Sequence, residues 1–268
     1  MPLTDNKLYD LLDAIELVLP SETAMEGDKI GLQVECNSYI TGVLFTLELT
    51  EEVLEECLKL NFNTIVSFHP LIYKPLPEIS LADRVGKLTS HLIKNSINFI
   101  SVHTTFDSHI MGTSRIFADL LMLETIGFLS PDKNSSNKNS GMGVICESKI
   151  PISELDLLNK VRNVCKAPIR FASNKNKSTV SKIAIVGGSG TSFLGDVIDK
   201  KCDAFITADI TYHTFHSIKN KILLIDAGHY EMEHFVPAGI ANLLNNYLVE
   251  HNINHAISKC ITNPISYF

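Results

Sequence analysis

The stretch Leu223-Leu224-Ile225-Asp226-Ala227-Gly228-His229-Tyr230-Glu231-Met232-Glu233 ties a strand, a break and the start of a helix together. Leu223 to Ile225 form the apolar run that a buried strand carries. Gly228 interrupts it with a residue that tolerates any backbone angle. Beyond Glu233, Ile240, Leu243, Leu244 and Tyr247 recur at helical spacing, which predicts a helix beginning near Glu233. His229 then stands at the carboxyl end of a strand, with Glu233 one turn along. Ligands of open α/β sheets bind at that end of the strands. An imidazole and a carboxylate converging there suit a divalent metal. A turn histidine followed by a helix-capping glutamate fits the same residues, so the remainder of the chain has to decide.

Upstream, the same order of elements repeats. A helix carrying Leu8, Leu11, Leu12, Ile15 and Leu19 on one face is capped by Thr4 and ended by Pro20. A loop or short strand with two glycines follows at 26–33. Strands are predicted at 40–47, 63–68 and 97–102, the last two running straight into His69 and His103. Between them lie a helix opened by Thr50, a helix opened by Ser80 and, further on, a helix with Ile116, Leu120 and Leu121. The polar run Ser130 to Ser140 cannot pack into a core and reads as a surface linker. A second series follows: strand 142–147, helix 153–165, strands 168–172 and 182–187, a helix to about 200, strand 204–208, helix 211–219, strand 222–226, helix 233–250 and a short strand at 256–260. Strands alternating with helices indicate α/β architecture with largely parallel sheets. The expected division is a first lobe over 1–128, a linker over 129–141 and a second lobe over 142–268.

Composition fits a soluble globular chain: 268 residues, 45% hydrophobic and 20% charged. The formal net charge of -7 argues against a surface that coats nucleic acid. No apolar run reaches membrane-spanning length, and Met1 to Asp10 lacks the apolar core of a signal peptide. Six cysteines are scattered singly, without a Cys-x-x-Cys pair, as befits small buried hydrophobes in a reducing compartment. The cytoplasm, and with it the nucleus, is the expected address.

Three histidines now share one placement. His69 follows an apolar strand, His103 with Asp107 follows another, and His229 with Glu233 follows a third. A parallel sheet brings strand ends to one edge, so these groups can meet without long loops. Imidazole and carboxylate together fit zinc, manganese or iron, and the absence of thiols argues against a purely structural zinc site. Asp209 and His213 follow a fourth strand, where an aspartate that caps the next helix is an equally good reading. The turn Gly187-Gly188-Ser189-Gly190 lacks the Lys-Ser/Thr of a P-loop and reads as a tight strand-to-helix connection.

Ser67-Phe68-His69-Pro70-Leu71-Ile72-Tyr73, His103-Thr104-Thr105-Phe106-Asp107 and Gly228-His229-Tyr230-Glu231-Met232-Glu233 resemble the three signature blocks of the Nif-three-like family. The family is also known as YbgI-like or GTP cyclohydrolase type 2-like, and its members are dinuclear metal proteins. Supporting blocks occur in the family's order along the chain: Asp28 to Leu32, Gly141 to Val144, Ala184 to Gly190 and Thr207 to His213. The resemblance implies two similar α/β lobes with the metal site between them, in the minimal form without an inserted domain, the C-terminal helix packing back at that site. It implies metal ligands at His69, Asp107, His229 and Glu233, with Glu233 able to bridge two ions, and one or two divalent ions (zinc, manganese or iron) per chain. His103 and His213 are the expected proton carriers, and Asp209 lines the same cavity. A hexameric ring is the expected assembly.

Two departures matter. Many members have His-His-Pro where this chain has Phe68-His69-Pro70, which removes one ligand of the second ion, and Lys29 stands where the family tends to have Asn. The leading expectation is a metal-dependent hydrolase of a small nucleotide-like or phosphorylated substrate. The alternative is a non-catalytic metal-containing ring protein that partners transcription regulators; metal storage is a weaker third.

Overall fold

A computed structural model describes residues 6–132 and 139–268. In chain order the elements are α1 (Leu8–Val18), β1 (Gly31–Val34), β2 (Val43–Thr46), α2 (Glu51–Lys59), β3 (Thr64–Ser67), α3 (Arg84–Lys94), β4 (Asn98–Ser101) and α4 (His103–Asp107). Then come α5 (Thr113–Leu120), β5 (Glu124–Pro131), β6 (Gly141–Ser153), α6 (Glu154–Cys165), β7 (Arg170–Ala172), β8 (Thr179–Ile185) and α7 (Leu194–Asp199). β9 (Ala204–Thr207), α8 (Tyr212–Ile218), β10 (Leu223–Asp226), α9 (His229–Glu233), α10 (Val236–Glu250) and β11 (His255–Ile257) complete the described fold.

The chain forms two compact units, Met1–Phe106 with Val236–Pro264, and Asp107–Phe235 with Ile265–Phe268. In the first, strand order β1-β4-β3-β2-β11 is parallel except for β1, which runs antiparallel to β4. Leu44, Ile65 and Phe99 from neighbouring strands pack with Val53, Leu54 and Cys57 of α2 and Leu88 and Leu92 of α3. Each large aliphatic or aromatic side chain so buried contributes about 1.5–3 kcal/mol. Thr50 caps α2 by accepting a hydrogen bond from the Val53 amide at 3.3 Å. α3 opens at Arg84 rather than at Ser80, because Asp83 is the residue whose side chain accepts from the Gly86 amide. The predicted cap Thr4 lies outside the described residues. α10 packs on α1 and β2, and β11 adds the edge strand beside β2.

The second unit holds a six-stranded sheet, β5-β6-β8-β9-β10-β7. Here the expectation of a largely parallel sheet fails: only β8-β9 and β9-β10 are parallel, while β5-β6, β6-β8 and β10-β7 are antiparallel. The reason is local, since β5 and β6 pair across the polar run and need no crossover helix. Ser130 and Pro131 therefore end a strand, and Gly141 begins one; 133–138 of the predicted linker lie outside the described residues. The change of unit falls between Phe106 and Asp107 instead. Both faces of β9 and β10 are buried: Ala204, Ile206, Leu223 and Ile225 enter one core, Phe205 and Leu224 the other. That double burial explains why these strands read as unbroken apolar runs. Among the described residues no helix is long and apolar enough to cross a membrane.

Candidate metal centre

Register builds the first unit's half of the chemistry. Thr46, Ser67 and Ser101 are partners across β2, β3 and β4. Two residues past each lie Glu48, His69 and His103, so the sheet delivers one ionisable group per strand at one level. The ladder continues beyond the strands, with the His69 amide donating to Leu47 O and the His103 amide to Phe68 O, both at 2.9 Å. β1 runs antiparallel beside β4, with Gly31 opposite Ser101, so Asp28 reaches the same edge from the other direction.

Neighbouring strands accordingly form neighbouring pairs. His69 Nδ1 lies 3.0 Å from Glu48 Oε2, and Arg84 donates to Glu48 Oε1 at 2.8 Å. His103 Nδ1 lies 2.7 Å from Asp28 Oδ1, while Asp28 Oδ2 accepts from the Thr104 amide at 3.1 Å and from its hydroxyl. The two imidazole rings stand edge to face, 5.5 Å apart. Burial alone would raise the Asp28 carboxyl, but its bonds to His103 and Thr104 outweigh burial and hold it well below the usual range. Glu48 is lowered by the same balance, with His69 and Arg84 opposing burial.

The second unit uses a different device at its own strand ends. Ile185, Ile206 and Ile225 share a level across β8, β9 and β10. Three residues on stand Gly188, Asp209 and Gly228. Gly228, at φ 86, turns the chain into α9 so that His229 opens a helix. That helix begins four residues earlier than its predicted start at Glu233 and is separate from α10. The i,i+4 spacing puts His229 and Glu233 on one face, with Nε2 3.1 Å from Oε2. His229 Nδ1 faces Asp209 Oδ2 at 2.6 Å, and Ser189 donates to the same oxygen. Asp209 adopts φ 55 and does not cap α8; Thr211 does, accepting from the Thr214 amide at 3.2 Å. Burial would lower His229, yet its bonds to Asp209 and Glu233 raise it to about 10. The bond from His229, with Ser189 behind it, holds Asp209 down at about 2.

Glycine makes room there. A Cβ on Gly188, itself at φ 62, would lie 2.4 Å from Glu233 Oε1 and 3.4 Å from His229 Nε2. A Cβ on Gly187 would meet the Thr113 methyl at 2.5 Å, and Thr113 donates to Asp107 Oδ1 at 2.5 Å. His229 and Glu233 thus meet over one glycine turn, which Asp107 reaches through Thr113. A buried carboxylate and an imidazole presented together over a backbone without side chains form a donor set that fits a divalent ion. His213 is exposed on the first turn of α8, with Tyr212 as its ring neighbour at 5.7 Å, and makes no contact with this group among those described.

The family model of Duf34/NIF3 (NGG1p interacting factor 3) matches residues 6–264. The chain belongs to this family. A GTP cyclohydrolase 1 type 2 homolog from Lactococcus lactis is 33% identical over 264 residues, covering 96% of this chain and 98% of its own length. A relative of the same name from Clostridium perfringens is 30% identical over 267 residues, covering 97% and 99%. The crystal structure of a Staphylococcus aureus hypothetical protein matches with a TM-score of 0.89 at 26% identity, over 98% of this chain and 99% of that one.

In this NIF3 family member Phe68 is fully buried, its ring 4.9 Å from that of His69, 5.4 Å from His103 and 6.3 Å from Phe106. The first position of the His-Pro block is therefore a packing position that backs two imidazoles. Glu48 and the hold of Asp28 on His103 escape a linear reading of the NIF3 motifs. Their only sequence signal is an acid two residues past an apolar strand, or three before one.

Proposed function

We propose that the chain is a divalent-metal-dependent hydrolase of a small nucleotide-like or phosphorylated substrate, with metal ligands at His69, Asp107, His229 and Glu233. The observation that carries the reading is α9, where His229 and a buried Glu233 meet at 3.1 Å over the side-chain-free Gly188. Lewis acidity and a water of lowered pKa are what a divalent ion supplies to hydrolysis. The chain's own residues supply the rest. Asp28 holds His103 through Nδ1, which assigns Nε2 of His103 to proton transfer with a substrate or water. His213 is the second proton carrier in this reading. The name of the Lactococcus lactis and Clostridium perfringens relatives, GTP cyclohydrolase 1 type 2 homolog, supports a nucleotide-like substrate. The assembly that goes with it is a hexameric ring in the cytoplasm.

Turnover on nucleotide and phosphoester panels, abolished by chelation and regained with manganese, zinc or iron, tests it. Metal-loaded protein inert across both panels contradicts it.

A second reading has its own observation. Phe68 is fully buried and puts an apolar ring where the resemblance implies a ligand. That suits a metal-containing ring protein whose role is to bind a partner, as does the family's description as an interacting factor. Stoichiometric capture of one transcription regulator, unaffected by Asp107→Ala, would favour it.

A further inference from the structure

The three strand-end imidazoles share a feature that no sequence motif encodes. Each meets a carboxylate at Nδ1: His69 with Glu48 at 3.0 Å, His103 with Asp28 at 2.7 Å, and His229 with Asp209 at 2.6 Å. Each carboxylate is itself held, Glu48 by Arg84, Asp28 by the amides of Lys29 and Thr104, and Asp209 by Ser189. Which ring nitrogen carries the proton is set by the hydrogen bond the other makes. An ionised carboxylate only accepts, so a neutral imidazole beside it must present N–H at Nδ1 and a lone pair at Nε2.

We propose that Glu48 is the positioning residue of His69: its carboxylate, steadied by Arg84, fixes the Nδ1–H tautomer and makes Nε2 the ligand nitrogen. This rests on the metal reading given above and adds a residue to it. The register supports the assignment, because Glu48 and His69 stand at the same level past adjacent parallel strands, Thr46 opposite Ser67. Arg84 sits at the start of α3, where it donates to both Glu48 Oε1 at 2.8 Å and Leu49 O at 2.7 Å. One guanidinium thereby pins the carboxylate and the backbone that carries it. A merely structural pair with an exposed arginine would contribute little to stability and would leave the imidazole tautomer and the metal untouched.

The test has two readouts. In metal-free protein with 15N-labelled histidine, above the imidazole pKa, the ring nitrogens of His69 should report N–H at Nδ1. Comparison with His69→Gln assigns them. Glu48→Ala should move His69 toward the Nε2–H form and weaken binding of zinc or manganese about 10–100-fold, as loss of such partners does. Arg84→Met should weaken binding in the same direction by less, and it carries the test if Glu48→Ala does not fold. Unchanged tautomer and unchanged affinity in variants that still bind metal overturn the role of Glu48 alone. A wild type that takes up no metal overturns the underlying reading, and this role falls with it.

Discussion

Both units place chemistry at the carboxyl ends of three register-aligned parallel strands, yet they do so with opposite means. The first unit sends one ionisable side chain from each strand, Glu48, His69 and His103, and packs the fully buried Phe68 behind them. The second sends Gly188, Asp209 and Gly228 to the equivalent level and leaves the donors His229 and Glu233 to a five-residue helix. A strand end fixes where a side chain starts, and a short helix fixes how two side chains face each other. The first unit therefore sets imidazoles through acidic neighbours on adjacent strands. The second sets an imidazole and a carboxylate through i,i+4 geometry, and keeps space for them with glycine.

The harshest way to break that contrast is Gly188→Ala. Its φ of 62 disfavours any side chain, and the new Cβ would stand 2.4 Å from Glu233 Oε1. The expected outcome is loss of about 1–3 kcal/mol of stability, together with loss of metal uptake. Gly195, on α7 with nothing within 4 Å of its Cβ position, is the control: Gly195→Ala should leave both untouched or slightly raise stability. Thermal melts and metal content of the two variants read the difference.

Phe68→His sharpens the first unit's side of the comparison. The change buries a polar ring where a phenyl packs on Phe106, and should cost about 1–3 kcal/mol of stability. It also adds an imidazole beside His69 and His103, so titration of stripped protein should show a second ion bound tightly. A variant that binds no better than the wild type would mean that the phenyl position faces packing alone.

A smaller effect is expected from pH in the metal-free chain. His229, raised to about 10 from its ordinary 6.5, stabilises fully below 6.5 and loses that contribution as pH rises through about 10. Asp209, lowered to about 2 from 3.8, stabilises above 3.8 and loses that contribution as pH falls through about 2. The melting-temperature gap between wild type and Asp209→Asn should be widest between those ordinary values and should shrink on the alkaline side. A gap independent of pH would remove the ion pair from the description of α9.

Much of this was legible in the sequence, for a physical reason. Strands buried on both faces read as apolar runs, so β3, β4, β9 and β10 stood out, and with them the histidines that follow β3, β4 and β10. What could not be read is what depends on strand order. Asp28 meets His103 only because β1 lies antiparallel beside β4, and Glu48 meets His69 only because β2 lies beside β3. The pairing of β5 with β6 was illegible for a similar reason, since the polar run between them resembles a linker. Asp209 was even-handed between cap and site; Thr211, two residues on, takes the cap and releases it for His229.

The central claim is that these residues hold a divalent ion, and elemental analysis of purified protein reaches it most directly. On the proposed ligand set, wild type stripped and titrated with zinc or manganese should bind one ion per chain tightly and a second weakly, because the Phe68 ring offers no ligand atom beside His69. Glu233→Ala should lose the tight ion, whereas His103→Ala, altering a group argued to carry protons, should keep most of it. Wild type that retains no metal, or equal metal content in the two variants, would contradict the assignment.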